Sequence, residues 1–265
     1  MKLRKNYNIE NALKIMDIEL YEYKKMSLSN ALLITGFPTV GLIGTIATRF
    51  IVYSLKLQLI AAFLSDYFPP MSIISNGEPL PPIRLYGGEK KCGPNGKYER
   101  LVVMLSEFVP HFTTLRPIAN KMIDWCKENN CNSIVCIEGF NLEKKEEETP
   151  LMGVASTEEA RKVLERYGIQ IMEEGMVSGL SGILLYEGKR RNFDVACLLA
   201  GTHADYPDAK AAAKVLEVVN KMLPDIKIDP EPLYKEAEQI ESQIKAQMSK
   251  AKPTKAMYTE PMMYG

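Results

Sequence analysis

Several stretches of the sequence carry residue types that could do chemistry. GFPTVGLIG (36–44) places glycines between an apolar run and a helical pattern. Strand, glycine loop, helix is the order that aims backbone N–H groups at a phosphate. The details depart from known phosphate cradles. A P-loop needs Lys and then Ser or Thr after its second glycine, whereas Gly41 is followed by Leu42 and Ile43. A dinucleotide fingerprint needs G-x-G-x-x-G, and Gly36 and Gly41 are spaced differently. The simpler reading is that these glycines let the helix pack closely on the sheet. The alternative is an anion site in the Gly36–Gly44 loop, serving a phosphorylase-like or nucleotide-binding enzyme.

GMVSGLSG (175–182) has the look of a serine elbow, but neither serine has glycine on both sides at two residues' distance, as G-x-S-x-G requires. Ser178 reads better as a helix N-cap. The chain has two histidines, His111 and His203, each following a strand pattern, with Asp205 close to His203. They read as loop histidines with local hydrogen bonds, because no nucleophile, base and orienting group can be assembled around them. Glu107 and Glu138 stand at strand ends, where a carboxylate pair could work, but their spacing gives that idea no support. The run EKKEEE (143–148) mixes signs and reads as a solvated loop. Cys126, Cys131 and Cys136 are spaced by five and lack the close C-x-x-C pair of most zinc sites, so they read as small buried thiols. The sequence thus assigns no catalytic residue, no metal and no cofactor. TEPMMYG (259–265) stands out differently: a frayed end is usually small and polar, and this stretch holds two methionines and a tyrosine.

Composition narrows the function further. Lys+Arg and Asp+Glu both number 33, so no basic surplus exists for nucleic-acid phosphates. Met1–Glu10 is charged and has no apolar core of a signal peptide. Residues 31–48 run without a charge, but Gly36, Pro38, Gly41 and Gly44 interrupt them, so strand, turn and buried helix fit better than a membrane span. Five cysteines, an odd number without a secretory signal, make a reducing cytoplasm the expected compartment.

The elements that must position these residues follow from periodicity. A strand is expected around 15–20, then strands at 31–37, 58–65, 71–75, 83–88 and 100–108, with a helix over 40–55. Asn76-Gly77 and Pro79, Pro81 and Pro82 mark the turn between 71–75 and 83–88, and Gly93-Pro94-Asn95-Gly96 a second hairpin tip. A helix follows 108 and ends near Asn129-Asn130. Then come strands at 133–140, 151–156, 169–173 and 195–201, and helices at 157–168, 178–190 and 207–223. Thr157 can cap its helix, and Gly168 sits where a C-terminal glycine belongs. Strands alternating with helices imply a layered α/β fold with a largely parallel sheet and hairpins in the first half. This body spans 1–229. Over 230–250, Leu233, Ala237, Ile240, Ile244 and Met248 form one apolar stripe at helical spacing. Such a helix lies back on its own domain or pairs with a neighbouring subunit. Residues 251–265 carry no stripe and read as a flexible tail.

Taken together, GFPTVGLIG (36–44), FPP (68–70), PPIRLYGG (81–88), LVVMLSE (101–107), EEGMVSGLSGILL (173–185) and LLAGTH (198–203) with the helix after it resemble the proteasome assembly chaperone 2 family in its archaeal form. The resemblance covers roughly 30–225. It implies a nucleoside-phosphorylase-like α/β body without a known catalytic centre, a homo-oligomer, and association with the proteasome core particle. Met263-Tyr264-Gly265 match the hydrophobic–tyrosine–any signature (HbYX) of proteasome activators and some assembly factors. By that resemblance, the free carboxylate of Gly265 pairs with a lysine between adjacent α subunits, Tyr264 buries its ring and hydrogen-bonds, and Met263 fills an apolar patch. Met257-Tyr258 looks similar but has no carboxylate after Thr259. The expected function is a non-enzymatic, ATP-independent assembly chaperone or activator.

Overall fold

ALLITG is apolar at nearly every position, the pattern of a strand covered on both faces. In a computed structural model of the chain this strand lies near the middle of a nine-stranded sheet. The structure describes residues 18–88, 98–142, 149–202 and 206–237. In chain order the first elements are β1 (Glu19–Glu22), β2 (Ala31–Gly36), α1 (Ile43–Leu55), β3 (Gln58–Leu64), β4 (Ile73–Ser75) and β5 (Glu78–Leu80). Next are β6 (Ile83–Gly87), β7 (Arg100–Ser106), α2 (Phe112–Glu128), β8 (Cys131–Asn141), β9 (Leu151–Ala155) and α3 (Glu158–Arg166). The last are β10 (Gln170–Ile171), α4 (Gly179–Arg191), β11 (Asp194–Thr202) and α5 (Ala209–Met222).

The strand order is β1-β3-β6-β7-β2-β8-β11-β9-β10. The central strands β7, β2, β8 and β11 run parallel. Helical crossovers between such strands put helices on both faces. The first-half hairpins supply an antiparallel wing of β1, β3 and β6, and β9 turns antiparallel to β11 on the other side. Side chains of β8 alternate accordingly. Val135 and Ile137 face a core shared with α1, α3 and α5; Ile134 and Cys136 face one shared with α2 and α4. The result is a three-layer α/β protein.

Local chemistry fixes the ends of the elements. Thr157 Oγ1 accepts the Ala160 N–H at 3.1 Å, the expected cap of α3. Asp208 does the same for α5 at Ala211, at 2.8 Å. Ser178 occupies the cap position of α4 with extended backbone, but its side chain makes no capping bond. The turn at Asn76-Gly77 also differs from the expectation. Both residues have positive φ, 52° and 83°, and they close a tight hairpin between β4 and β5 instead of joining β4 to β6. Pro79 obscures β5 in the sequence, yet an edge strand tolerates a proline. The stretch around 15–20 yields a strand only from Glu19, its earlier half lying outside the described residues. The 169–173 strand shortens to Gln170–Ile171.

The start of α1 touches the sheet through backbone. A Cβ on Gly36 would come 2.1 Å from the carbonyl oxygen of Gly44; one on Gly44, 2.4 Å from that of Ile137; one on Gly139, 2.1 Å from that of Val40. No side chain fits between these atoms. Gly36→Ala is therefore expected to lower stability by roughly 3 kcal/mol, because backbone cannot swing aside as a side chain can. Met176→Ala, at a position 89% exposed, should stay within about 0.5 kcal/mol of the parent. Urea midpoints of the two variants test this, and equal midpoints would refute it.

Candidate functional site

The Gly36–Gly44 loop is held from several sides. Gly41 and Leu42 both adopt left-handed φ, 64° and 51°, which turns the chain sharply into α1. The Gly41 carbonyl accepts the Asp208 N–H at 2.8 Å. The Asp208 carboxylate in turn accepts the Thr202 hydroxyl at 2.6 Å. Thr202 packs so closely on Gly41 that a Cβ there would come 2.9 Å from its side chain. Close packing of α1 on β2 and β8, and of the loop before it on β11, thus accounts for the glycines, as the simpler reading expects. The charge fixed beside the loop is the protein's own carboxylate.

Glu107 and Glu138 do not form a pair. They lie on opposite faces of the sheet, Glu107 toward α1 and Glu138 toward α4. Glu107 follows β7 and forms ion pairs with the guanidinium groups of Arg84 on β6 and Arg49 on α1. Arg84 also donates to the Pro81 carbonyl at 2.6 Å and to the Tyr86 hydroxyl at 2.9 Å. Glu138 is buried within β8 and accepts the Ser181 hydroxyl from α4 at 2.5 Å. Burial raises the Glu138 pKa, and the bond from Ser181 opposes part of that rise. The partners Arg49, Arg84 and Ser181 were not marked by sequence, since each comes from an element remote in the chain.

The remaining candidates are local or structural. His111 precedes α2; its Nδ1 lies 2.8 Å from Thr113 Oγ1 and its carbonyl accepts the Thr114 hydroxyl at 2.7 Å. His203, Asp205 and the run 143–148 lie outside the described residues. Cys126, Cys131, Cys136 and Cys197 are free and buried, as read from the sequence. Burial pushes the Cys136 thiol up to about 12, far from a reactive thiolate. Among the described residues no group of His, Cys, Asp and Glu is gathered to hold a metal. Nor is any helix of the described residues long and apolar enough to cross a membrane.

Residues 231–237 are helical, and this beginning of the apolar stripe lies back on its own body. Leu233 joins the core beside α5, Ala237 is buried, and the Tyr234 hydroxyl donates to Glu217 of α5 at 2.7 Å. The rest of the stripe and the tail residues Met263, Tyr264 and Gly265 lie outside the described residues. The chain is therefore anchored on α5 before the tail begins.

With this fold in hand, a family model described as the PAC2 family matches residues 33–248. The chain belongs to the PAC2 family. Its fold is similar to that of Pyrococcus furiosus PbaA, an archaeal homologue of proteasome-assembly chaperone, with a TM-score of 0.78 and 33% identity over 88% of this chain and 92% of that one. It is also similar in fold to Pyrococcus furiosus PbaB, an archaeal proteasome activator, with a TM-score of 0.76 and 23% identity over 88% of this chain and all of the other. An uncharacterised protein of Methanocaldococcus jannaschii is 29% identical to it, over 91% of this chain and 98% of that protein.

For this PAC2 chain, the buried Glu138 gives a pH test. A carboxyl whose pKa is raised on folding stabilises the fold below its unfolded pKa, and that contribution is lost as pH rises through the folded value. Glu138→Gln keeps an acceptor for Ser181 and removes the charge. Its thermal midpoint should exceed the parent's near neutral pH, with the gap closing toward about pH 4, the range where an unperturbed carboxyl titrates. Melting curves at both pH values check this; a gap independent of pH would contradict it.

Proposed function

We propose that this protein is a non-enzymatic, ATP-independent proteasome assembly chaperone or activator that docks on the α-ring of the core particle. The observation that carries the reading is the 33% identity to PbaA over nearly the whole fold. The likeness in fold to PbaB fits the same reading. The tail supplies the contact: Met263 and Tyr264 bury apolar surface between α subunits, the Tyr264 hydroxyl hydrogen-bonds, and the Gly265 carboxylate pairs with a lysine there. The residues after 250 can span up to roughly 50 Å when extended, enough to reach a partner from a body that stays clear of it.

In this reading the bodies form a cytoplasmic homo-oligomer. Several tails on one assembly raise the effective concentration at neighbouring α-ring pockets, so individually weak contacts hold the complex. The same contact serves ring assembly and gate opening alike.

Tyr264→Ala, or removal of residues 263–265, should abolish co-purification with the core particle while the circular dichroism and melting point of the body stay unchanged. Appending a few residues after Gly265 should weaken binding nearly as much, because it displaces the carboxylate. Undiminished pull-down by the truncated protein would sink the tail mechanism. Peptide hydrolysis by the core particle, with and without the intact protein, then separates activator from assembly factor.

A further inference from the structure

A groove of about 510 Å³ opens between α1, the β4–β5 hairpin and strands β3, β6 and β7. Val52, Leu57, Leu59 and Leu80 give it apolar walls. Tyr53 and Ile74 stand at its rim with 71% and 67% of their surface exposed, unusual for large apolar side chains facing one groove. The hairpin wall is a two-stranded sheet of its own, outside the nine-stranded one. Such a hairpin is marginal in isolation, and an occupant of the groove would brace it.

Charge narrows the occupant. At the groove's floor one carboxylate, Glu107, is shared between two guanidinium groups. Arg84 is buried there, whereas the Arg49 side chain keeps 45% of its surface exposed. Lys56 adds a further cation and Glu78 a further carboxylate, so the lining carries one positive charge in excess. A fitting occupant is apolar and brings a carboxylate.

The chain itself carries such a segment. MYTEPMMY (257–264) holds three methionines and two tyrosines around a single charge, Glu260. The route is short. Residues 231–237 rest on α5 through Tyr234, and α5 packs against α1, which forms one wall of the groove. Residues 238–265 follow, and at roughly 3.3 Å per extended residue they far exceed the distance across a neighbouring helix.

We propose that this groove binds the chain's own segment Met257–Tyr264, with Glu260 set against Arg49 and the methionine and tyrosine side chains against Val52, Tyr53 and Leu57. The segment comes from the same copy or from a neighbour in an oligomer. Docked in this way, it holds Met263 and Tyr264 back from any external pocket, so the groove regulates the tail. That consequence rests on the tail contact proposed above; the docking itself does not.

The test uses the full-length protein alone, without core particle, so its outcome is separate from that of the pull-down. A photo-crosslinking p-benzoylphenylalanine replaces the exposed Ile74, and the linked peptides are read by mass spectrometry. Links to residues 257–264 are expected. Glu260→Arg, which leaves the folded body untouched, should lower their yield about tenfold, the loss of roughly one charge-assisted contact. Adding Arg49→Glu to Glu260→Arg should restore it; Lys56→Glu serves as the second reversal if the first disturbs Glu107. Links only to the body of a second copy would make the groove an interface between bodies and overturn the proposal. So would the absence of any link to 257–264, or a yield indifferent to Glu260→Arg.

Discussion

The backbone of α1 meets the backbone of β2 and β8 without side chains between them, and the placement of the surrounding elements depends on that approach. Gly36, Gly44 and Gly139 leave the space for it. Once the start of α1 is set against the strand ends, its later turns are aimed along the sheet. Ile43, Ala47 and Ile51 then enter the core, and Arg49 and Tyr53 reach the flank beside β6 and the β4–β5 hairpin. The start of α1, which in other α/β proteins cradles an anion, here packs its backbone on the strands, and the Gly41 carbonyl just before it accepts the Asp208 N–H.

Among the described residues, Glu107, Glu138 and Glu187 bury their side chains, Glu107 and Glu187 each against two arginines and Glu138 against a serine. Glu187 of α4 is fully buried and is met by Arg116 from α2 and Arg190 from its own helix, tying the two helices of one layer together. Glu107 joins β6 to α1 through two arginines. Glu138 has a serine as its partner, and burial accordingly raises its pKa. Removing the arginines that meet Glu187 would leave a buried charge uncompensated, which is costly.

The chain belongs to the PAC2 family and is similar in fold to PbaA. The body contributes position. It anchors residues 231–237 on α5, and α5 packs against α1. The Arg49–Glu107–Arg84 cluster joins the same helix to β6 and the end of β7. Helix α1 thus connects the core and the groove.

By itself the sequence determined the local features. The alternation of strands and helices, the caps at Thr157, the glycine after α3 and the buried cysteines all follow from periodicity and from side chains acting on neighbouring backbone. Tertiary structure alone decided the strand order and the mixed direction of the sheet, since pairing joins segments far apart in sequence. It alone split Ile73–Gly87 into a separate hairpin and a sheet strand, because a left-handed turn at Asn76-Gly77 overrode the proline punctuation. It alone put Glu107 and Glu138 on opposite faces with partners from other elements. Short-range order is written in adjacent residues, whereas the environment of a charge is set by whatever long-range packing brings beside it.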